Sequence, residues 1–157
     1  MVKVLFVCLG NICRSPMAEA IFNHLIKARG LEHVVESDSC GTANYHVGDD
    51  ADPRTISAVR TKGIAIDHCV RQLVASDLEQ YDYVLAMDKS NYQNILRLAE
   101  DHHRPKVIMM RDFDPGHKGE EVPDPYYGNQ KHFEEVYAIL DRSLSHFIDH
   151  LIKTNLK

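Results

Sequence analysis

Short apolar runs alternate with stretches of helical periodicity along the whole chain of 157 residues. The short runs, over residues 2–7, 34–39, 81–87 and 106–110, are strand-like and are bounded by polar or turn-forming residues. Strands that alternate with helices usually pair in parallel, so this order predicts an α/β fold, a parallel sheet with helices on both faces. Because the sequence shows no internal repeat or linker, we expect one domain over residues 1–157.

The starts of the helices are also marked in the sequence. Ser15 followed by Pro16 predicts the first helix, since a hydroxyl can cap free N–H groups and proline suits the first helical position. Asp52 and Asp88 are expected to cap a second and a third helix. Apolar residues at three- and four-residue spacing over residues 133–151 predict a C-terminal helix that covers one sheet face.

Composition argues against several classes of protein. The formal net charge of -5 offers no broad positive surface for nucleic acid or anionic lipid. No apolar run approaches the roughly 20 residues that span a bilayer, and no secretion signal follows Met1. The four cysteines lack the spacing of a disulfide framework and are expected to be reduced. We therefore expect a soluble, cytoplasmic protein that binds neither nucleic acid nor membranes.

The segment CLGNICRS, residues 8–15, is the predicted phosphate loop. A loop that closes onto a helix N-terminus turns backbone N–H groups inward, and these hold an anion together with the helix dipole. Gly10 and Asn11 are expected to supply the positive φ angles of such a loop, and Arg14 adds a planar fork for two phosphate oxygens. The predicted phosphate-binding residues are Leu9, Gly10, Asn11, Ile12, Cys13, Arg14 and Ser15.

Cys8 lies at the base of this loop, where the same field favours its thiolate and makes it nucleophilic at neutral pH. Ser15 is expected to donate a hydrogen bond to that thiolate. Cys8 could instead be a structural thiol, half of a zinc site with Cys13, or part of a nucleotide-binding loop. A zinc site needs a second close pair of ligands, and neither GxxxxGK[ST] nor GxGxxG occurs. The sequence therefore favours a catalytic Cys8 and Arg14, with no metal and no other cofactor.

Several motifs together resemble a known family. CLGNICRSP after a VLFV strand, with VGDDADPR, YDYVLAMD and EVPDPYYG further on, is similar to the low-molecular-weight protein tyrosine phosphatases over essentially the whole chain. The resemblance implies a four-stranded parallel sheet in the order 2-1-3-4, with the phosphate loop at its carboxyl edge. It also implies hydrolysis of protein phosphotyrosine and aryl phosphates through a phosphocysteine intermediate. Phosphate or vanadate would be active-site anions, and we expect a monomer or weak self-association.

Asp124 lies between two prolines in VPDPYYG, residues 122–128, and the prolines restrict its backbone. Hydrolysis of a phosphomonoester needs an acid to protonate the leaving oxygen, which a thiolate cannot do. From the residues alone, Asp124 is equally well an ordinary turn aspartate. The resemblance makes it the catalytic acid, and afterwards the base that activates water.

Aromatic residues follow this aspartate directly. The resemblance makes Tyr126 and Tyr127 one wall of a slot for the phosphotyrosine ring, with Tyr45 on the opposite rim. Many relatives carry tryptophan where this chain has Tyr45, which leaves the substrate preference open. Ile12 favours an aryl phosphate over the phosphoarginine that related enzymes accept with a hydroxyl residue at this position.

Supporting residues are implied by the resemblance as well. Ser39 and His68 match family positions in a network that holds the phosphate loop. Taken alone, both are ordinary polar residues at the ends of strands or loops. Asp88 is expected to cap its helix and, as a second role, to orient Arg14.

Two other functions stay open at this point. A cysteine-based arsenate reductase binds its oxyanion in the same kind of loop, but it needs resolving thiols, and residues 74–103 contain none. A catalytically silent phosphopeptide-binding module is the other possibility. The intact set of Cys8, Arg14, Ser15 and Asp124 counts against it.

Cys13 suggests sensitivity to oxidants, because it lies five residues after Cys8 in a loop that surrounds one anion. A neighbouring thiol can capture a sulfenic acid as a disulfide before oxidation becomes irreversible. The family carries this second cysteine, which supports a protective bridge between Cys8 and Cys13. A small residue that merely fills the underside of the loop is the other interpretation.

Overall fold

Four parallel strands form one sheet in the computed structural model, which describes residues 1–156. The strands are β1 (Val2–Cys8), β2 (Val35–Gly41), β3 (Tyr83–Ala86) and β4 (Val107–Met109), and they pair in the order β2-β1-β3-β4. This confirms the predicted fold class and strand order. β3 is shorter than predicted, because Tyr81 is the C-cap of a short preceding helix and pairing with β1 begins only at Tyr83.

Five α-helices surround the sheet. They are α1 (Arg14–Ala28), α2 (Pro53–Arg60), α3 (Asp77–Gln80), α4 (Lys89–Leu98) and α5 (Gln130–Thr154), with short 3₁₀ helices at Asp101–Lys106 and Met110–Phe113. The sequence did not predict α3, since its four residues are too few to show a helical period. Within residues 1–156, no helix is long and apolar enough to cross a bilayer.

The helices lie on both faces of the sheet, as predicted. On one face, Phe6 of β1 packs edge to face on Phe22 of α1, which in turn contacts Phe147 of α5. On the other face, residues of α3 and α4, among them Leu78 and Ile95, cover the alternate side chains of β1 and β3. Burial on both faces explains why the strands read as continuous apolar runs.

Two of the three predicted N-caps are confirmed. Asp52 accepts a hydrogen bond from the Arg54 N–H at the start of α2, and Asp88 accepts one from the Asn91 N–H at the start of α4. The prediction for Ser15 was wrong. The N-cap of α1 is Cys13, and no side chain bonds there, because the Ser15 hydroxyl points into the loop instead.

The carboxyl ends of β1 and β2 meet closely, and this contact shapes the edge where the phosphate loop begins. Cys8 is paired with Gly41 in the sheet register. A Cβ atom on Gly41 would lie 2.7 Å from the Leu9 carbonyl oxygen, so only glycine permits this approach. The loop after β1 is thereby held against the end of β2.

Candidate active site

The phosphate loop turns its carbonyl groups away from its centre. Five carbonyl oxygens are bonded outward, those of Cys8, Leu9, Asn11, Ile12 and Cys13. Their partners are the N–H groups of Thr42, Ala43 and Asp52, the imidazole of His68 and the hydroxyl of Thr55. Because the C=O and the N–H of one peptide unit point in opposite directions, this arrangement turns the following N–H groups inward.

The inward N–H groups have no partner of their own. Within residues 1–156, the N–H groups of Leu9, Gly10, Ile12 and Cys13 make no backbone hydrogen bond outside the regular elements, and none to a side chain. The free N–H groups of the first turn of α1 lie at the same end of the loop. Unpaired N–H groups that converge at a helix N-terminus form an anion site.

The sulfur of Cys8 accepts hydrogen bonds at the base of the loop. The Asn11 N–H donates to Sγ at 3.3 Å, and the Ser15 hydroxyl oxygen lies 3.0 Å from it. Ser15 Oγ accepts from Asn11 Nδ2 at 2.8 Å, and its own proton has two acceptors within reach, the sulfur at 3.0 Å and the Cys40 carbonyl at 3.4 Å. These two contacts fix the position of the sulfur at the base of the loop.

Asn11 is buried and occupies the centre of the network that holds the loop. Its Nδ2 donates to Ser15 and to Ser39, its Oδ1 accepts from the Arg71 N–H, and its φ angle is +58°. Of the two residues predicted to have positive φ, only Asn11 does. At Gly10 a Cβ would lie 3.2 Å from the ring of His46, a tight contact that a small shift of this ring would relieve.

The predicted supporting residues lie beside Asn11, with two that the sequence analysis missed. His68 Nε2 bonds the Asn11 carbonyl at 2.8 Å. The Ser39 hydroxyl donates to Glu19 at 2.7 Å, and burial raises the pKa of this carboxyl to about 7. Arg71 is fixed by Asp38 and Asp77. A charged residue among apolar neighbours in α1 was the only signal for Glu19, and nothing local marked Arg71.

Arg14 is buried at the other side of the loop, in an orientation set by two fixed acceptors. Its Nη1 donates to Asp88 Oδ2 at 2.8 Å and to the Val122 carbonyl at 3.0 Å. Asp88 therefore caps α4 with one oxygen and holds Arg14 with the other. Within residues 1–156 no hydrogen bond uses Nε or Nη2 of Arg14, which leaves one edge of the guanidinium for two oxygens of a phosphate.

Asp124 lies on the acid loop, residues 120–129, which contains no helix or strand. Its Oδ2 is 3.7 Å from Arg14 Nη2, its Oδ1 accepts from the Tyr126 N–H, and its side chain is 42% exposed. Cys8, Arg14 and Asp124 line one cleft. This carboxyl therefore faces both the cleft and the solvent.

Arg54, at the start of α2, is a contact of the acid loop that the sequence analysis missed. Its guanidinium donates to the carbonyls of Tyr126 and Gly128, and it also stacks 4.4 Å from the ring centroid of Phe133. Asp52 bonds the same guanidinium, so both planar edges are in use. The two regions are separated by about 70 residues in the sequence, which explains why no local pattern revealed the contact.

The cleft has a volume of about 300 Å³ and is lined by aromatic rings above the phosphate loop. Tyr45, Tyr126 and Tyr127 all line it, as predicted, and His46 was not foreseen. Tyr126 and Tyr127 are packed edge to face with centroids 5.0 Å apart. The cleft thus offers a polar base for an anion and apolar walls for a flat ring.

Cys13 is buried in the underside of the loop. Burial raises the pKa of its thiol strongly, and the nearby negative charges of Asp52 and Cys8 add to the effect. All four cysteines are free thiols. Cys13 is thus a neutral thiol in the reduced protein.

A second cluster, which does not line the cleft, has side chains of the kinds that bind metal ions, but its hydrogen bonds place a proton on a nitrogen that would have to bind the metal. Oxygen and nitrogen atoms of Glu79, His102 and His103 lie within 4.8 Å of one another. His103 Nδ1 accepts from the Glu100 N–H, so the ring proton is on Nε2, which faces Glu79 at 2.6 Å. A protonated nitrogen cannot bind a metal ion, and the three side chains are joined by hydrogen bonds to Glu79 instead.

Comparisons with known proteins agree with this geometry. The family model described as low molecular weight phosphotyrosine protein phosphatase matches residues 3–157. A protein of that name from Schizosaccharomyces pombe is 44% identical over 140 residues, which cover 88% of this chain and 90% of the relative.

Solved structures are similar as well. A protein tyrosine phosphatase from Entamoeba histolytica with Hepes in its active site superposes with a TM-score of 0.94 at 40% identity, over 98% of each chain. The YwlE arginine phosphatase, in a mutant with a phosphorylated active-site serine, gives a TM-score of 0.88 at 30% identity, over 99% of each chain. The chain belongs to the low molecular weight phosphotyrosine protein phosphatases.

Proposed function

We propose that this phosphatase hydrolyses protein phosphotyrosine and aryl phosphates through a phosphocysteine intermediate. One observation carries the proposal: inward N–H groups, the free edge of Arg14, the Cys8 sulfur and Asp124 all line a single cleft with tyrosine walls. A phosphate on the loop would place its phosphorus above Sγ and its ester oxygen toward the acid loop.

The first step is attack of the Cys8 thiolate on phosphorus. An S–P bond forms as the P–O bond to the tyrosine breaks, and Asp124 gives its proton to the departing phenolate oxygen. Arg14 and the loop N–H groups stabilise the charge on the three equatorial oxygens in both ground state and transition state. Tyrosine leaves neutral, Asp124 is left as a carboxylate, and Cys8 carries the phosphoryl group.

The second step returns the enzyme to its starting state. The Asp124 carboxylate takes a proton from water, the water oxygen attacks phosphorus, and the S–P bond breaks with its electrons on sulfur. The Ser15 hydroxyl, 3.0 Å from Sγ, stabilises the thiolate that leaves. Inorganic phosphate is released, and vanadate would occupy the same position. No step calls on a metal or another cofactor, because Arg14 and the amides supply the positive charge.

The remaining residues act in support of these steps. Leu9 to Ser15 bind the phosphate, with Ile12 and Cys13 contributing N–H groups. Tyr45, Tyr126 and Tyr127 hold the substrate ring. Ser39, His68 and Asp88 keep the loop and Arg14 in place, as their bonds to Asn11 and to Arg14 support.

A second candidate substrate is phosphoarginine, because two of the similar structures are arginine phosphatases. The tyrosine walls and the apolar Ile12 in the phosphate loop favour an aryl ring over a charged guanidinium. The phosphorylated active-site serine in the YwlE mutant supports a covalent phosphoenzyme here. Within residues 74–103 there is no cysteine to resolve an arsenate adduct, which disfavours the reductase.

Oxidant sensitivity is also part of the proposal. Peroxide would convert the Cys8 thiolate to a sulfenic acid, and the Cys13 thiol would displace water from it to form a disulfide. The negative charge of Cys8 contributes to the raised pKa of Cys13, which supports their closeness. Burial slows this step by holding Cys13 protonated, so the bridge competes with further oxidation.

We place the enzyme in the cytoplasm, acting on phosphoproteins as a monomer or with weak self-association. The four free thiols fit a reducing compartment.

The direct test is a hydrolysis assay with a phosphotyrosine peptide, p-nitrophenyl phosphate and a phosphoarginine peptide in the presence of a chelator. We expect turnover of the first two and little of the third. Preference for phosphoarginine, or activity that depends on added metal, would contradict the proposal.

A further inference from the structure

A second groove opens beside the catalytic cleft. This groove, here called the Arg97 groove, has a volume of about 520 Å³ and shares Leu9 and Tyr45 with the cleft. Its other walls include Thr42, Gln72, Arg97 and Leu98. Leu9 and Tyr45 border both spaces. When a phosphotyrosine occupies the cleft, a peptide chain that continues past these two residues therefore enters the groove.

The walls of the Arg97 groove suit a side chain with an apolar stem and an anionic end. Leu9, Tyr45 and Leu98, which line it, are 41%, 73% and 43% exposed. Gln72 bonds the Thr42 carbonyl through Nε2. Arg97 is the one charged residue that lines the groove among residues 1–156.

Arg97 has no acidic partner. Its Nη1 donates to Asn94 Oδ1 at 2.9 Å, and no carboxylate of the described chain lies within 4.0 Å of its guanidinium. By contrast, the other large cations near the active site, Arg14 and Arg54, are both paired. An exposed arginine beside apolar surface retains donors for a carboxylate.

Negative charge lies beside other parts of the cleft. Asp124 lines the cleft, and Asp49 Oδ2 lies 3.6 Å from Nδ1 of His46, which lines it as well. An acidic peptide residue is repelled there and attracted to Arg97. The positive charge at Arg97 is a local feature, because the chain as a whole carries a net charge of -5.

We propose that the Arg97 groove binds an acidic side chain close to the phosphotyrosine of a substrate protein and selects substrates by it. The inference rests on the proposed phosphotyrosine hydrolysis and adds a substrate class to it. The preference applies on one side of the phosphotyrosine only, since the groove lies on one side of the cleft.

The test uses one phosphotyrosine peptide in which glutamate, glutamine or lysine replaces a single neighbour at a time. For wild type we expect kcat/KM to be about two- to fivefold higher with glutamate than with glutamine at the best position. This ratio corresponds to the free energy of one solvent-exposed ion pair. The gain should reside in KM and weaken at high salt.

Arg97→Gln should bring the glutamate-to-glutamine ratio to about one, and Arg97→Glu should make lysine the favoured neighbour. Arg60→Gln, an exposed cation of α2 that does not line the cleft, is the matched control and should keep the wild-type ratio. A ratio that Arg97→Gln leaves unchanged overturns the groove proposal. Hydrolysis of no peptide by wild type contradicts the phosphotyrosine activity itself, so the two failures are distinct.

Discussion

The phosphate loop and the acid loop form two sides of one cleft, but they are held in different ways. The phosphate loop is a local segment of eight residues, 8–15, in which most carbonyls are bonded and a buried network surrounds Asn11. The acid loop has no regular structure, and its Asp124 is partly exposed. Contacts at Val122 and from Arg54 hold it near its two ends.

This difference implies that anion binding and proton delivery depend on separate contacts. A rigid loop that binds phosphate needs little reorganisation when substrate arrives. A loop held at two points can position an acid and still let water and product pass. Changes in one loop should therefore have different consequences from changes in the other.

The largest effect is expected from Cys8→Ser, which removes the nucleophile. We expect kcat to fall at least about 10⁴-fold while phosphate binding, measured by calorimetry, stays largely in place, because the N–H groups and Arg14 remain. Arg14→Ala is the contrasting variant and should damage both. Substantial turnover by the Cys8→Ser protein would remove Cys8 from the mechanism.

Asp124→Ala should separate proton delivery from binding. Hydrolysis of phosphotyrosine should fall by about 10²- to 10⁴-fold, and hydrolysis of an ester whose leaving group needs no proton should fall far less. Equal losses on both esters would exclude the acid role.

A smaller effect is expected from Arg54→Lys, which keeps the charge but cannot bond two carbonyls in one plane. We expect kcat for phosphotyrosine to fall roughly tenfold, as the acid loop becomes less fixed, with phosphate affinity little changed. Arg60→Lys in the same helix is the control and should behave as wild type. Weaker phosphate binding by the Arg54→Lys protein would show that the two loops are not held by separate contacts.

The last prediction concerns stability rather than turnover, and it tests the outer edge of the network around Asn11. The pKa of Glu19 is about 7 in the folded protein because of burial, above the 4.5 of a free glutamate. The carboxyl is therefore protonated in the folded state where the unfolded chain is ionised, and stability falls as the pH rises from about 4.5 to 7.

Glu19→Gln should lack this loss. We expect the free energy of unfolding of Glu19→Gln, measured by urea titration, to increase relative to that of wild type by on the order of 2 kcal/mol between pH 4.5 and pH 8. A difference between the two proteins that stays constant over this range would mean that Glu19 does not titrate as described.

The starts of α2 and α4 and the position of the phosphate loop could be predicted because their signals are local. Asp52 and Asp88 precede their helices, and the spacing from Cys8 to Arg14 lies within a single loop. Ser15 shows the limit of this reasoning. Its side chain has two competing partners, the helix N-terminus and the Cys8 sulfur, and only the folded loop decides between them.

The contacts that fix the acid loop could not be predicted from the sequence. Arg54 contacts Tyr126 and Gly128 only after α2 and α5 have packed together, and no local sequence pattern indicates a contact between residues so far apart in the chain. Glu19 was missed for a related reason. Its partner Ser39 is on β2, so that the buried pair exists only across two elements.

The most direct test of the account is whether Cys8 carries the phosphoryl group during turnover. Wild-type enzyme mixed rapidly with a phosphotyrosine peptide, quenched in acid and analysed by mass spectrometry should contain one phosphoryl group on Cys8, and Asp124→Ala should contain it for longer once substrate is exhausted. Turnover without any phosphoryl group on Cys8 at any quench time, or a phosphoryl group on another residue, would contradict the account.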